Sequence, residues 1–311
     1  MDKTSAALVE LGRLLKTRGY RFVTVTPATH ERVLARGGEA ARLEDVFGWN
    51  LPFTSGLLGE AMMNVMAEVG CLAEEQGRYR ARLRFATAGD HLFAHSGFPT
   101  VAQDAVFFGP DTYRFLRLLD GAISDLAAQK PVRLVDIGCG SGAGGIHAAR
   151  LLPSQSEIVL ADINQSALQF AEANAALAGL TGAVTVLSDV LSGVDGGPDV
   201  VIANPPYLLD EKERLYRHGG GPLGIALAER IVAEALHRLK PGGRLVLYTG
   251  TPIVAGTDPF FQSIQGLLQL RAAQFRYEEI DPDVFGEELE KPAYGKADRI
   301  AAVGLTATKR G

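Results

Sequence analysis

Over the first twenty residues the apolar side chains Ala7, Leu8, Leu11, Leu14 and Leu15 recur at helical spacing, which predicts a helix across residues 1–20. Arg21–Thr26 is a short β-prone run closed by Pro27. Further helices are expected over His30–Ala35, over Ala40–Trp49 up to the break at Leu51-Pro52, and from a cap at Thr54 or Ser55 to about Val69. Arg78–Phe85 then alternates strictly, predicting one strand with Arg78, Arg80, Arg82 and Arg84 on a single face. A turn at Ala88-Gly89-Asp90 leads to a partner strand over His91–His95. Helices followed by a hairpin suggest a small α+β module of winged-helix-like type, assigned to residues 1–102.

The pattern changes afterwards. A connecting segment, Gln103–Thr112, leads into a helix from about Thr112 to Ala128. After Lys130-Pro131, short apolar runs alternate with helical stretches. Strands are expected at Arg133–Ile137, Glu157–Ala161, Val184–Leu187, Val200–Ala203 and Arg244–Thr249, with β-prone runs at Ala272–Glu279 and Arg299–Leu305. Strands alternating with helices build a mostly parallel sheet covered on both faces. A second, α/β domain is therefore assigned to residues 103–311. In such sheets ligands bind beyond the carboxyl ends of the strands.

Composition narrows the class. The chain has 311 residues, 47% hydrophobic and 22% charged, ordinary for a globular protein with room for two domains. Two cysteines far apart, Cys71 and Cys139, argue against a disulfide framework or a cysteine-based zinc site and suit a reducing cytoplasm. The N-terminus lacks the apolar stretch of a signal peptide, and no run of 18 apolar residues suggests a membrane span. Residues 1–110 carry 12 Lys+Arg against 12 Asp+Glu, so the net charge of −5 lies in the remainder. Neither part is broadly basic, which leaves only a local patch for nucleic acid.

The residues after each strand carry the chemistry. Asp136-Ile137-Gly138-Cys139-Gly140-Ser141-Gly142 follows the first; its glycines allow a tight turn and close approach of a ligand to a helix N-terminus. Dinucleotide-binding domains use similar loops, so this signal alone is weak. Asp162 follows the second strand, where a carboxylate suits both hydroxyls of a ribose, although it also suits the cap of the next helix. Asp189, after the third, suits an adenine amine or only a loop. After the fourth comes Asn204-Pro205-Pro206-Tyr207, the most specific feature. Two prolines stiffen the backbone and remove N–H donors. A planar –NH2 group could give one hydrogen to the Asn204 side-chain oxygen and one to the Pro205 carbonyl, with its plane against Tyr207.

Together VDIGCGSGAGG, LADINQSALQFAEANA, LSDV and VVIANPPY resemble successive motifs of the class I S-adenosylmethionine (AdoMet)-dependent methyltransferases, over about residues 105–305. The Asn-Pro-Pro-Tyr tetrapeptide is similar to that of amino-methyltransferases, among them HemK-like protein-glutamine enzymes and RNA or DNA base enzymes. Phe107–Thr112 and Gly219–Gly224 resemble segments of the HemK-like branch. The resemblance implies a Rossmann-like fold with a seven-stranded sheet ending in an antiparallel hairpin, and AdoMet as cofactor. It implies cofactor contacts from Asp136, Gly138, Gly140, Gly142, Asp162, Ile163, Asp189, Val190 and Asn204, with Phe108 and Thr112 closing the pocket, and no metal. The N-terminal residues depart from that branch's usual helical bundle, and Leu208-Leu209-Asp210 replaces a Glu-Pro-rich stretch. The class therefore transfers and the acceptor does not.

Three functions compete at this point: methylation of a glutamine amide in a protein such as a translation release factor, methylation of an exocyclic amine in rRNA or tRNA, and an AdoMet-binding regulator without catalysis. A small-molecule amine is a further acceptor. The arginine strand speaks for an RNA backbone, yet an edge strand that resists aggregation would look the same. His91 and His95 are read as packing or surface residues, Cys139 as a small packing residue and Trp49 as a core anchor.

Overall fold

A computed structural model of the chain describes residues 2–128 and 130–311; Met1, at the start of the first predicted helix, lies outside the described residues. Helix α1 (Lys3–Thr17) begins where the Asp2 carboxylate accepts the Ser5 N–H at 2.7 Å, and it buries Leu8, Leu11 and Leu15. Arg21–Thr26 joins no ladder; Phe22 and Thr87 exchange two hydrogen bonds, and Thr24 donates its N–H to the Tyr113 hydroxyl. Helices α2 (Pro27–Leu34) and α3 (Leu43–Phe47) follow. The next predicted helix is two, α4 (Ser55–Leu58) and α5 (Glu60–Val69), because Gly59 between them has φ +78°.

The predicted arginine strand is also two. Strands β1 (Leu72–Glu75) and β2 (Arg78–Ala81) form one antiparallel hairpin, and β3 (Leu83–Ala88) and β4 (His91–Ser96) form another. The chain leaves the first ladder at Arg82, so the four arginines share no face. Arg78 pairs with Glu39 at 2.5 Å, Arg80 donates to the Asn50 carbonyl, and Arg82 is exposed. Arg84 is 3% exposed, 3.2 Å from the His30 ring. Strict alternation cannot report that a strand changes partners midway.

From α6 (Pro110–Ile123) onward the alternation is as expected: β5 (Arg133–Ile137), α7 (Ala143–Leu151), β6 (Glu157–Asp162), α8 (Gln165–Leu177), β7 (Val184–Leu187), β8 (Val200–Ala203), α9 (Ala226–Arg238), β9 (Arg244–Ile253), α10 (Pro259–Arg271), β10 (Ala272–Asp281) and β11 (Arg299–Lys309). The sheet order is β10-β11-β9-β8-β5-β6-β7. Strands β5 to β9 are mutually parallel, and β11 runs antiparallel between β9 and β10. Order reverses at β5, whose neighbours are β8 and β6, so the crevice opens at the carboxyl ends of these three strands. β5 beyond Arg133 and the whole of β8 are buried on both faces, as in a parallel sheet covered by helices on both sides.

The N-terminal residues are fused to this sheet rather than tethered to it. Ala173 and Leu177 of α8 belong to the same apolar cluster as Leu8, Leu11, Phe47 and Phe85. Buried Asn174 gives and receives hydrogen bonds with the Ala94 backbone at 2.9 and 2.8 Å and donates to the Ser141 carbonyl at 2.9 Å. One amide thus pins β4 to the Gly-rich loop. Among the described residues no helix is long and apolar enough to cross a membrane.

Candidate active site

The crevice is a cleft of about 400 Å³, within the usual range for small-molecule sites. One wall is the loop between β5 and α7. Gly138 and Gly140 adopt φ +63° and +54°, which lets the turn close and present its backbone to the cleft. Asp162, at the end of β6, is 8% exposed and faces the same space. Its two carboxylate oxygens each accept one N–H, from Gly140 and Asn164, both at 2.8 Å. Those bonds fix its orientation and leave lone pairs for a ligand. Burial raises its pKa, and the N–H donors oppose that. Ile163 beside it is 54% exposed, an apolar surface left open at the mouth.

The end of β7 supplies Asp189 and Val190. Asp189 is half-exposed and forms a 2.8 Å ion pair with Arg230 of α9. Val190 is held at φ +53°, a conformation that costs a β-branched residue energy and concentrates at ligand sites. The Ser188 hydroxyl maintains it by donating to the Val190 carbonyl and accepting the Gly193 N–H, both at 2.9 Å.

Asn204-Pro205-Pro206-Tyr207 follows β8 and lines the cleft throughout. The Asn204 side chain is half-buried and, among the described residues, makes no hydrogen bond. Tyr207 is 6% exposed; its hydroxyl donates to Asp111 at 2.8 Å, and Phe285 meets its ring edge-on at 5.9 Å. The segment 208–224 packs back on this turn. A Cβ on Gly219 would strike the Gly224 carbonyl and lie 2.7 Å from the Tyr207 Cα and 2.8 Å from the Pro206 oxygen, so only glycine fits there.

Three of the residues expected to contact the cofactor do not line this cleft. Phe108 is fully buried, stacked against Phe93 and His95 at 5.5 Å; in this extended segment its neighbour Phe107 faces the cleft instead. Gly142 starts α7 and packs against Ala171 of α8, outside the cleft. Asp136 lies behind the loop, where it accepts the Gly145 N–H at 2.7 Å; burial pushes its pKa up to about 7. Ile137, Gly138, Gly140, Asp162, Ile163, Asp189, Val190, Asn204 and Thr112 all line the cleft. His95 is buried against Phe108 and Cys139 is buried within the apolar core.

Several lining residues carry no sequence signal. Tyr216 stacks on Phe107 at 5.7 Å and donates to the Thr100 carbonyl at 2.7 Å. Arg214 is bound by Asp210, and Arg217 by Glu288 at 2.5 Å. Those arginines hold Asp210 well below the usual carboxylate range. The basic residues at the mouth are thus already neutralised by carboxylates of this chain.

Residues 122–254 match the methyltransferase small domain family. That stretch, which holds β5 to β9, is thus similar to a methyltransferase domain. Curated relatives include a release factor glutamine methyltransferase of Deinococcus radiodurans, 33% identical over 44% of this chain and 51% of that protein. Another is the enzyme of the same name from Rhodopirellula baltica, 30% identical over 48% and 55%. A ribosomal RNA small subunit methyltransferase C of Serratia proteamaculans is 30% identical over 40% and 32%. The chain spans about half the length of the release-factor relatives it matches, and less of the ribosomal RNA one. A solved M. jannaschii tRNA m1G37 methyltransferase shares the fold at TM-score 0.50 and 18% identity, covering 77% of this chain and 59% of that one.

The cleft suits AdoMet chemically. Oriented lone pairs on Asp162 can receive ribose hydroxyls, Ile163 and Val190 offer apolar surface to a purine, and the Gly138–Gly140 backbone can approach the methionine part.

Proposed function

We propose that this chain is an AdoMet-dependent N-methyltransferase acting on a planar nitrogen, and that its acceptor is a glutamine amide of a protein such as a translation release factor. The observation that carries the reading is the Asn204 amide, free of internal partners at the cleft beside a carbonyl-rich proline turn. A regulator without catalysis would have no use for that arrangement.

AdoMet, when bound, supplies a methyl group on a positively charged sulfur that needs no further activation. Asn204 and the Pro205 carbonyl accept the two hydrogens of the acceptor nitrogen and orient its lone pair, a proximity effect. The same bonds favour positive charge on nitrogen as the N–C bond forms and the C–S bond breaks. The nitrogen then releases one proton to solvent, so no strong base is required.

Charge at the mouth favours protein over RNA. Arg214 and Arg217 are paired with Asp210 and Glu288, Arg78 and Arg80 are engaged separately, Arg84 is buried, and Arg82 stands exposed by itself. No basic track remains among them for a phosphate backbone. Residues 1–102 are assigned to acceptor recognition: Thr100 anchors both Arg214 and Tyr216 at the mouth. The test is a cell extract incubated with labelled AdoMet and digested separately with protease and nuclease. Label released by protease alone supports the reading; release by nuclease transfers it to RNA; a chain that neither binds AdoMet by calorimetry nor transfers label overturns both.

A further inference from the structure

The proline turn has an anchoring problem. Pro205 and Pro206 have no N–H, so two consecutive residues of the turn cannot be tied down by backbone donation. Yet Asn204 and the Pro205 carbonyl must be held to within about 0.5 Å to orient an acceptor. The restraint has to come from residues beyond the prolines. Leu208 supplies one part, donating its N–H to the Arg217 carbonyl at 3.1 Å. The Tyr207 side chain supplies the other.

Tyr207 is gripped on three sides. Its ring lies on Gly250 of β9, where any Cβ would overlap it, and Phe285 closes the edge. The third grip is Asp111, 7% exposed, in the first turn of α6. Its Oδ2 accepts the Tyr207 hydroxyl at 2.8 Å. Its Oδ1 accepts the hydroxyl of Tyr248, a fully buried β9 side chain, at 2.7 Å, and Arg114 at 3.2 Å. Arg114 in turn pairs with Asp281 of β10 at 2.7 Å. A carboxylate with three donors and a helix N-terminus behind it tolerates burial. It ties the turn, β9 and β10 to one helix end.

We propose that Asp111 is the positioning residue of the transfer: by holding the Tyr207 hydroxyl it sets where Asn204 and the Pro205 carbonyl stand. Asp111 stands at the cleft wall beside Thr112, and its part in the transfer is exerted through Tyr207. This rests on the methyl-transfer reading of the cleft. Tyr248 shares the same carboxylate but lies on the sheet and does not hold the turn, so it separates positioning from general stability.

The experiment compares Asp111→Ala, Tyr207→Phe, their double variant and Tyr248→Phe in the full chain. Asp111→Ala should lower kcat on the order of 100-fold, as misplacement by about 1 Å does. The acceptor KM and the AdoMet Kd should stay within about twofold of the parent. Tyr207→Phe should reproduce the loss, the double variant should fall no further, and Tyr248→Phe should stay within about threefold. Hydrogen exchange at the Tyr207 and Leu208 amides should speed up about tenfold in Asp111→Ala, with the Gly140 and Ile163 amides unchanged. Unchanged exchange at the turn, additive losses in the double variant, or an equal loss in Tyr248→Phe would overturn the assignment. Should Asp111→Ala not fold, the isosteric Asp111→Asn makes the same comparison. A parent chain that methylates nothing refutes the functional reading, while the exchange measurement still decides the positioning role.

Discussion

Gly219→Ala is a one-carbon change that reports on the whole site. The added Cβ would lie 2.7 Å from the Tyr207 Cα and 2.8 Å from the Pro206 oxygen, besides overlapping the Gly224 carbonyl. Ordinary carbon contacts are about 3.5–4.0 Å, so one backbone must retreat by about 1 Å. All three obstacles are backbone atoms, and two belong to the proline turn, so no side-chain rotation relieves them. Overpacking of this kind costs about 1–3 kcal/mol. At about 2–4 °C per kcal/mol the melting temperature should drop by roughly 2–12 °C. The same displacement at the turn should lower methyl transfer on the order of 100-fold, with little change in AdoMet affinity, because the atoms nearest the new carbon belong to Gly224, Tyr207 and Pro206 and not to the Asp162 wall. The control is Gly266→Ala, at an exposed α10 position with nothing within 4 Å of the new carbon. There the same substitution should stabilise by about 0.5–1 kcal/mol. Calorimetric melting, AdoMet titration and labelled-methyl transfer measure the three quantities. A Gly219→Ala chain that melts and turns over like the parent would refute the packing argument.

Asn204→Ala should abolish most methyl transfer while AdoMet titration stays near the parent value; normal turnover would remove Asn204 from its role. Asp162→Ala should weaken AdoMet binding by roughly 1.5–3 kcal/mol, the worth of hydrogen bonds to a charged group, and equal titration curves would show that the ribose lies elsewhere. Asp136 supplies a pH test. Its pKa rises from 3.8 to about 7 on burial, so the folded chain holds this proton more tightly than the unfolded chain. Its stabilising contribution is full below about pH 4 and is lost as pH rises through about 7. Asp136→Asn should flatten that part of the stability profile in melts followed across the same range, and an unaltered slope would contradict the burial argument.

The sheet strands were legible because each is a short apolar run whose neighbours are helices, a local pattern that survives tertiary packing. β5, β7 and β8 lie where the apolar runs place them, and β6 and β9 begin where expected and run longer. The N-terminal residues were less legible. Arg78–Phe85 alternates as one strand would, but Cys71 and Leu72 pair with one half and His95 and Ser96 with the other, and alternation is blind to the partner. Phe107 and Phe108 are adjacent identical side chains in an extended segment, so their faces oppose; which of them meets the cleft depends on the aromatic cluster around His95.

Local sequence determined the ligand-facing chemistry of this protein: glycines that permit left-handed turns, acids at strand tips, and a proline pair that stiffens the backbone after Asn204. These follow from the conformational limits and donor counts of single residues, which need no distant partner. Only the folded chain decided how that chemistry is held. The Tyr207–Asp111 anchor joins residues 96 positions apart, and the mouth arginines are neutralised by Asp210 and Glu288. Hydrogen bonds and ion pairs between distant side chains depend on distances set by packing, and no local pattern encodes them.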